Sequence, residues 1–336
     1  MNIPTQQKGI SLVEILVAMV ISIFLLGGVI QVYIGNKATY NFSEAISRIQ
    51  ENGRFAMDII TRDLRMAGFW GCATFDPTDT TNMTNNLNPN GTGYDANLHD
   101  FVGNPPVQGA ENNGMNGSDT ITIRGAAPGQ ANIVPPYNSP TSANIFANVS
   151  DFLAVDDVVL LTNCKGADIF QVSNITAGTG AAKLSVVHNA GTGAPGNYNP
   201  GGCNAGHCLS QTYGNDSSIL KLQTVIYRIA AGDSGEASLF RAEFANDIEL
   251  VEGIEQMQIL YGVNTDTDNT TPNQYVTSNN VADWNTVTAV RVMLLVVSPD
   301  NVVFESDQTY RYNGQNITSA DRRLRQVFST TIALRN

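Results

Sequence analysis

The chain has 336 residues, of which 42% are apolar and 14% carry a formal charge. This length allows one large domain or two modest ones, and the apolar fraction is sufficient for a packed core. The charged fraction is below the usual value of about a quarter, and the net charge is −12 at pH 7. Such a chain has no basic surface excess to neutralise phosphates, which argues against nucleic-acid binding.

The beginning of the chain combines a short polar segment with a long apolar one. Residues 1–9 are polar and carry one positive charge, Lys8, whereas the apolar segment runs from Ile10 to Ile34. A membrane-spanning helix needs about 20 predominantly apolar residues, and a basic leader favours a cytoplasmic N-terminus. A single charge, Glu14, interrupts the apolar segment, and its carboxylate needs an explanation.

Three interpretations of this segment compete. A secretory signal peptide has a shorter apolar region that ends in small residues at a cleavage site, and this segment shows neither. An ordinary membrane anchor explains the length but leaves a carboxylate in hydrocarbon, which costs several kcal/mol. Cleavage between Gly9 and Ile10 explains both features, because the new α-amino group is a cation. Glu14 of a neighbouring subunit can neutralise that cation within an apolar bundle.

Lys8-Gly9 followed by Ile10-Ser11-Leu12-Val13-Glu14 resembles the class III leader of type IV prepilins. In that family the prepilin peptidase cuts after the glycine and methylates the exposed amine, usually on Phe. The resemblance implies that Gly9 is the cleavage determinant, that Ile10 becomes the N-methylated first residue, and that Glu14 is the assembly residue. In this sequence Ile10 stands in place of the usual Phe, so the residue after the cleaved glycine is still apolar.

A second stretch extends the resemblance. Residues 50–72, QENGRFAMDIITRDLRMAGFWGC, resemble the helix end of PilW-type minor pilins. Residues 250–264, 287–297 and 325–336 also resemble that family, whereas the region from about 74 to 217 does not.

The absence of proline between Pro4 and Pro77 permits one helix from about Ile10 to Ala67, and Gly68 fits a helix stop. In its second half, apolar or small residues recur at intervals of three or four: Phe42, Ile46, Ile49, Gly53, Ala56, Ile60, Leu64 and Ala67. The opposite face carries Glu44, Arg48, Glu51, Asp58, Arg62 and Arg65. The glycines at 27, 28, 35 and 53 either let the helix bend or allow close packing. We expect the apolar stripe to pack on a globular head.

The remaining sequence predicts a head rich in β-strands. Strand patterns occur at 119–124, 158–162, 169–175, 183–188, 220–229, 238–244, 257–263, 287–297 and 328–334. The Asn-, Gly- and Thr-rich residues from Thr80 to Gly117 predict a long surface loop, and Val251 to Glu255 predict a short helical turn. We therefore expect an α+β fold, with a pilin-like long N-terminal helix packed on a large antiparallel β-rich globular head.

The predicted layout has three parts. Residues 1–9 form a leader that is removed. Residues 10–68 form the helix, of which 10–34 span the membrane or line the filament core and 35–68 are amphipathic. Residues 69–336 form the periplasmic or extracellular head, with a loop-rich insertion around 74–217.

Four cysteines occur in the chain: Cys72, Cys164, Cys203 and Cys208. An even number in an exported chain indicates two disulfides, for which three connectivities exist. The short separation of Cys203 and Cys208 favours that pair together with Cys72–Cys164. A zinc site would recruit His207, but the Cys-x4-Cys spacing is loose and no second Cys/His pair lies nearby in the sequence.

Catalytic patterns are missing from the sequence. The three histidines, His99, His188 and His207, have no metal-ligand spacing, and neither a nucleophile elbow nor a phosphate loop occurs. The run Asn264–Asn269 offers Asp266 and Asp268 as calcium ligands, but the central Gly and terminal Glu of an EF-hand loop are missing. A solvated Asp/Asn turn is the favoured interpretation. We expect no catalytic residues, no required cofactor and no enzymatic activity.

The resemblance implies a minor pilin that resides in the bacterial inner membrane before assembly, with its head in the periplasm. After processing at Gly9 it would join other minor pilins and the major pilin, initiate the type IV pilus and stay at or near its tip. The prepilin peptidase and the inner-membrane assembly machinery are the other implied partners. A minor pseudopilin of a type II secretion system shares the same leader. A membrane-anchored adhesin or binding module is the alternative that requires neither cleavage nor Glu14.

Overall fold

A computed structural model describes residues 9–73, 82–137, 142–148, 151, 153–191, 193–198, 209–244, 246–266, 271–299 and 307–334. The chain divides into two compact units. One unit consists of the residues up to Glu51 together with Val297–Gln326, and the other of Asn52–Val296 together with Val327–Asn336.

Helix α1 spans Leu12–Arg65, which is slightly shorter at both ends than the sequence predicts. Beyond it, the amides of Met66 and Ala67 donate to carbonyls three residues back, at 3.1 and 3.2 Å. Gly68 has a φ of 71° and donates its N–H to the carbonyl of Arg124 at 2.9 Å. Glycine adopts this left-handed backbone without steric cost. Gly68 therefore ends the helical segment, as the sequence predicts.

The last turns of α1 pack on the head through the predicted apolar stripe. Ala56, Ile60 and Leu64 are completely buried. Gly53 lies against the ring of Phe328, since a Cβ on Gly53 would come within 2.4 Å of that ring. Gly53 therefore serves close packing. By contrast, a Cβ on the glycines at 27, 28 and 35 would meet no described atom within 4 Å.

The head contains a short helix, α2 (Ala96–His99), and many strands. The strands are β1 (Met83–Asn85), β2 (Val107–Ala110), β3 (Thr120–Ala126), β4 (Ala131–Asn132), β5 (Asn144–Ala147), β6 (Val158–Thr162), β7 (Ala167–Gln171), β8 (Asn174–Ala177), β9 (Leu184–Val187), β10 (Ser218–Ala231), β11 (Ala237–Glu243), β12 (Asn246–Glu252), β13 (Ile254–Val263), β14 (Gln274–Val276), β15 (Val287–Val297), β16 (Gln308–Tyr312), β17 (Gln315–Ser319) and β18 (Arg325–Ala333). Within the described ranges they form sheets of nine, four, three and two strands.

Strand β10 is the centre of the nine-stranded sheet. The main strand order is β1-β7-β6-β10-β11-β12, with β3 and β4 also paired to β10 and β2 paired to β3. The first part of β10 pairs with β6, its middle with β3 and its end with β11, all antiparallel. Its side chains alternate between buried and half-buried positions along much of its length, as expected for a strand that packs mainly on one face.

Three smaller sheets occur in the described residues. The four-stranded sheet has the order β14-β13-β15-β18 and the three-stranded sheet the order β5-β9-β8. Strands β16 and β17 form a hairpin around Asn313 and Gly314, with φ values of 47° and 77°. An Asn-Gly pair with two positive φ angles is the preferred two-residue hairpin turn. The sequence therefore carried a hairpin signal that the strand patterns above do not include.

The α+β fold class is confirmed, but two local predictions are wrong. The described part of Thr80–Gly117 is not a plain surface loop, because it contributes β1, α2 and β2 and buries Phe101 completely. The predicted helical turn at Val251–Glu255 is instead the junction of β12 and β13, where Gly253 turns the chain with a φ of 81°.

The loop-rich insertion predicted around 74–217 also contains strands with their own apolar core. Its described residues include β1 to β9. A buried cluster there includes Leu161, Phe170, Val186 and Tyr213. Stretches of turn and loop separate these strands, so the described part of the insertion is partly strand and partly loop.

Candidate processing and assembly site

The predicted cleavage point lies just before α1 begins. Gly9, Ile10 and Ser11 precede the helix without regular secondary structure, and all three residues are exposed. The Ile10 side chain is 74% exposed. The bond between Gly9 and Ile10 is therefore accessible and non-helical.

Glu14 lies in the first turn of α1. Its Oε2 accepts a hydrogen bond from the Ser11 N–H at 3.4 Å, and its own N–H donates to the Ser11 carbonyl at 3.0 Å. A carboxylate at this position satisfies one free amide of the helix start and faces the positive end of the helix dipole. The Ser-x-x-Glu spacing is a capping signature that the sequence analysis did not use.

No described residue covers the apolar first half of α1. Every residue from Leu12 to Tyr40 is exposed, including the aromatic and branched side chains of the segment. This part of α1 is long and apolar enough to cross a membrane. An uncovered apolar surface of this size requires lipid or other chains around it.

A buried carboxylate on α1 fixes the last part of the helix to the head. Asp63 Oδ2 accepts hydrogen bonds from the Tyr227 hydroxyl at 2.6 Å and from Arg241 Nε at 3.0 Å. Arg241 also donates to Glu243 at 2.8 Å. Burial and the neighbouring Asp63 carboxylate raise the pKa of the Tyr227 phenol, so it stays a hydrogen-bond donor.

Sequence reasoning missed Asp63, which it assigned to neither face of the helix. The signal was present, because Asp63 follows Ala56 by seven residues and Ile60 by three, and so lies on the apolar stripe. A charge on a buried stripe predicts a partner on the opposing surface.

The predicted Cys72–Cys164 disulfide is confirmed, with a Cα–Cα distance of 4.9 Å across a sequence separation of 92. It joins the segment after α1 to the turn between β6 and β7. The predicted Cys203–Cys208 pair lies outside the described residues.

Of the two predicted calcium ligands, the structure describes Asp266 only. Asp266 donates its amide to Asn264 Oδ1 at 3.0 Å and accepts from Asn273 Nδ2 at 3.3 Å, which is the geometry of an Asx turn. Asp268 lies outside the described residues. Within the described part of the chain, no group of three His, Cys, Asp or Glu side chains is placed to hold a metal ion.

A long exposed apolar helix followed by an antiparallel β-rich head is consistent with a pilin-like α+β fold. Residues 4–30 match the family model described as the prokaryotic N-terminal methylation motif. Residues 226–336 match the model described as Type IV Pilus-assembly protein W. The two matches lie at opposite ends of the chain and confirm the resemblance to PilW-type type IV pilins with a class III leader. No curated protein and no solved structure gave a match.

Proposed function

We propose that this chain is a minor pilin of a type IV pilus, cleaved between Gly9 and Ile10 and built into the filament through α1. The observation that carries the proposal is the exposed apolar half of α1, with Glu14 in its first turn and the Gly9–Ile10 bond accessible in front of it. The methylation-motif match covers this same region. The PilW match on the head supports a pilus in preference to a secretion pseudopilin.

The proposed assembly step is a charge neutralisation. After cleavage, the methylated amine of Ile10 is a cation at the end of an apolar helix, and Glu14 of an adjacent subunit is an anion at the same depth. Either charge alone is costly in an apolar bundle, whereas the pair is much less so. The 3.4 Å contact of Glu14 with Ser11 is long for a hydrogen bond, so Glu14 gives up little when it turns to a neighbouring amine.

The proposed location follows from the anchor. Before assembly the chain sits in the inner membrane with its head in the periplasm, and afterwards it joins the extracellular pilus at or near the tip. Its proposed partners are other minor pilins, the major pilin, the prepilin peptidase and the inner-membrane assembly machinery. The role is structural rather than enzymatic, and the second disulfide, Cys203–Cys208, forms in the same oxidising compartment.

Mass spectrometry of the N-terminal peptide tests the processing step. Protein is prepared from cells with and without their prepilin peptidase. We expect a peptide that begins at Ile10, with the mass of one added methyl group, only when the peptidase is present. An intact leader in both preparations would leave an anchored β-rich binding protein and would remove the reason for Glu14.

The Glu14→Ala variant tests the assembly step. We expect normal cleavage at Gly9 but reduced recovery of the subunit in sheared filaments. Glu51→Ala is a matched control, because Glu51 is an exposed carboxylate on the same helix beyond the apolar segment. Equal incorporation of the two variants would contradict the charge-neutralisation step.

A further inference from the structure

A cavity in the head has the features of a ligand site that the assembly role does not need. It has a volume of about 270 Å³ and lies between the β6–β7 hairpin, the start of β10 and the end of β11. Small-molecule sites commonly measure about 300–1,000 Å³, so this cavity suits a small ligand. Two of its lining residues, Asp156 and Phe244, have left-handed backbone, with φ values of 73° and 48°. Asp adopts this backbone readily, and Phe244 lies in the turn between β11 and β12, so both conformations are explained by local turns at the rim of the cavity.

Asp156 is held in place by its backbone while its carboxylate stays available. The Asp156 amide donates to the Val172 carbonyl at 2.9 Å, and its carbonyl accepts from Gln171 Nε2 at 3.1 Å. Gln171 also contacts Ala194 and Gly196, which fixes the neighbouring loop. Within the described residues, no hydrogen bond or ion pair engages the Asp156 carboxylate. The Asp156 backbone is therefore fixed, and its exposed carboxylate is available to accept a hydrogen bond from a ligand.

His99 supplies a second polar group to the cavity. Its ring is stacked between Tyr94 and Phe244, with centroid distances of 5.5 and 5.3 Å. Its Nδ1 lies 3.1 Å from the Asp95 amide and 3.0 Å from the Asp95 carbonyl, so Nε2 offers one donor or one acceptor in either tautomer. Burial lowers the pKa of the His99 ring, which favours its neutral form.

The remaining lining is partly charged and partly apolar. Lys221 forms an ion pair with Asp157 at 2.6 Å, which leaves further ammonium donors. Glu243 is paired with Arg241 at 2.8 Å. Among the charged residues of the described lining, only Asp156 has no oppositely charged group in contact. The cavity therefore carries a net negative charge. The non-polar surface of the cavity comes from Phe244, Val155 and Pro195.

We propose that this cavity binds a neutral saccharide unit. A sugar ring presents hydroxyls that suit the Asp156 carboxylate, the Lys221 ammonium and His99 Nε2, and a C–H face that suits Phe244 and Pro195. The net negative charge disfavours sugars that carry carboxylate or sulfate groups. This inference goes beyond the assembly role and does not depend on it, because the ligand is bound by the isolated subunit.

The test uses the mature full-length protein in lauryldimethylamine oxide, a detergent without a sugar headgroup. The probe is an array of neutral and sialylated oligosaccharides. We expect retention on neutral glycans and not on their sialylated counterparts. Asp156→Asn should weaken retention by about tenfold, because a charge-assisted hydrogen bond becomes a neutral one. Asn tolerates the left-handed backbone at this position, so the fold is kept.

A second variant and a control complete the test. Val155 is 48% exposed at the cavity, and Val155→Trp should fill the mouth and abolish retention. Asp233→Asn changes an exposed carboxylate outside the cavity and should leave retention unchanged. Failure of the wild-type protein to bind any neutral glycan would overturn the proposal. Equal retention of the wild type and both cavity variants would place the sugar elsewhere and overturn it too.

Discussion

The contact between Gly53 and Phe328 makes a prediction that runs against helix propensity. In an open helix position, Gly→Ala stabilises the helix by up to about 1 kcal/mol. At Gly53 the new Cβ would lie 2.4, 2.5 and 2.6 Å from three carbons of the Phe328 ring. Ordinary contact needs about 3.5 Å or more, so the ring or the helix must move by about 1 Å. Overpacking of this kind costs about 1–3 kcal/mol, and the propensity gain offsets only part of it.

We therefore expect Gly53→Ala to destabilise the head by about 1 kcal/mol, measured by thermal unfolding of the mature chain in detergent. Phe328→Leu removes the ring edge, and in that background Gly53→Ala should become neutral or stabilising. This double-mutant cycle isolates the contact. Gly35→Ala is the matched control, because its Cβ would meet no described atom within 4 Å. If Gly53→Ala were as harmless as Gly35→Ala in the presence of Phe328, the close packing inferred here would be refuted.

Three further predictions concern the head. Asp63→Ala leaves Arg241 without its helix partner and should cost about 3 kcal/mol of unfolding free energy, whereas Tyr227→Phe should cost about 1 kcal/mol; thermal unfolding of both variants checks the order. Replacing Cys72 by Ser removes a crosslink across 92 residues and should cost about 4 kcal/mol, and an equally stable variant under oxidising conditions would contradict this. Burial raises the pKa of Asp119 to about 6 in the folded protein. The folded state then binds the proton more tightly than the unfolded state, so stability should fall as the pH rises from about 4 to 6; Asp119→Asn should flatten that slope in denaturant titrations.

The N-terminal methylation motif at residues 4–30 was recognisable from the sequence because its information is local. Gly9, Ile10 and Glu14 lie within six positions of one another, and a buried or membrane-embedded carboxylate after a glycine leader has few explanations. The strands at β6, β10 and β15 were also recognised, since each is long or continuously apolar and begins or ends near a turn signal.

The segment before β3 was not predictable by the same means, because distant contacts order it. Arg124 is 1% exposed, and its guanidinium donates to the carbonyl of Asn97 at 2.7 Å and to that of Pro105 at 2.8 Å. These partners lie 27 and 19 residues earlier in the chain. An Asn- and Gly-rich segment with no periodicity thus gains part of its structure from a buried side chain distant in the sequence, which composition does not reveal.

The proposed saccharide site illustrates the same limit. His99, Asp156, Lys221 and Phe244 come from four separate segments, so no spacing in the sequence connects them. The pairing of β6 and β10, with β11 beside β10, brings Asp156, Lys221 and Phe244 together. His99 is placed there by α2, whose Leu98 carbonyl accepts from Thr224 on β10.

The Cys72–Cys164 bond also has a mechanical meaning. Part of a tensile load on α1 passes to the head through the contacts of Asp63 with Tyr227 and Arg241, and the part that follows the backbone beyond the helix reaches Cys72. From there the disulfide offers a covalent route to the turn between β6 and β7, next to the long central strand β10. The intervening chain is a loop closed by that bond and is shielded from the load. The strands of that loop can therefore vary in length or content while the force-bearing path stays short and covalent.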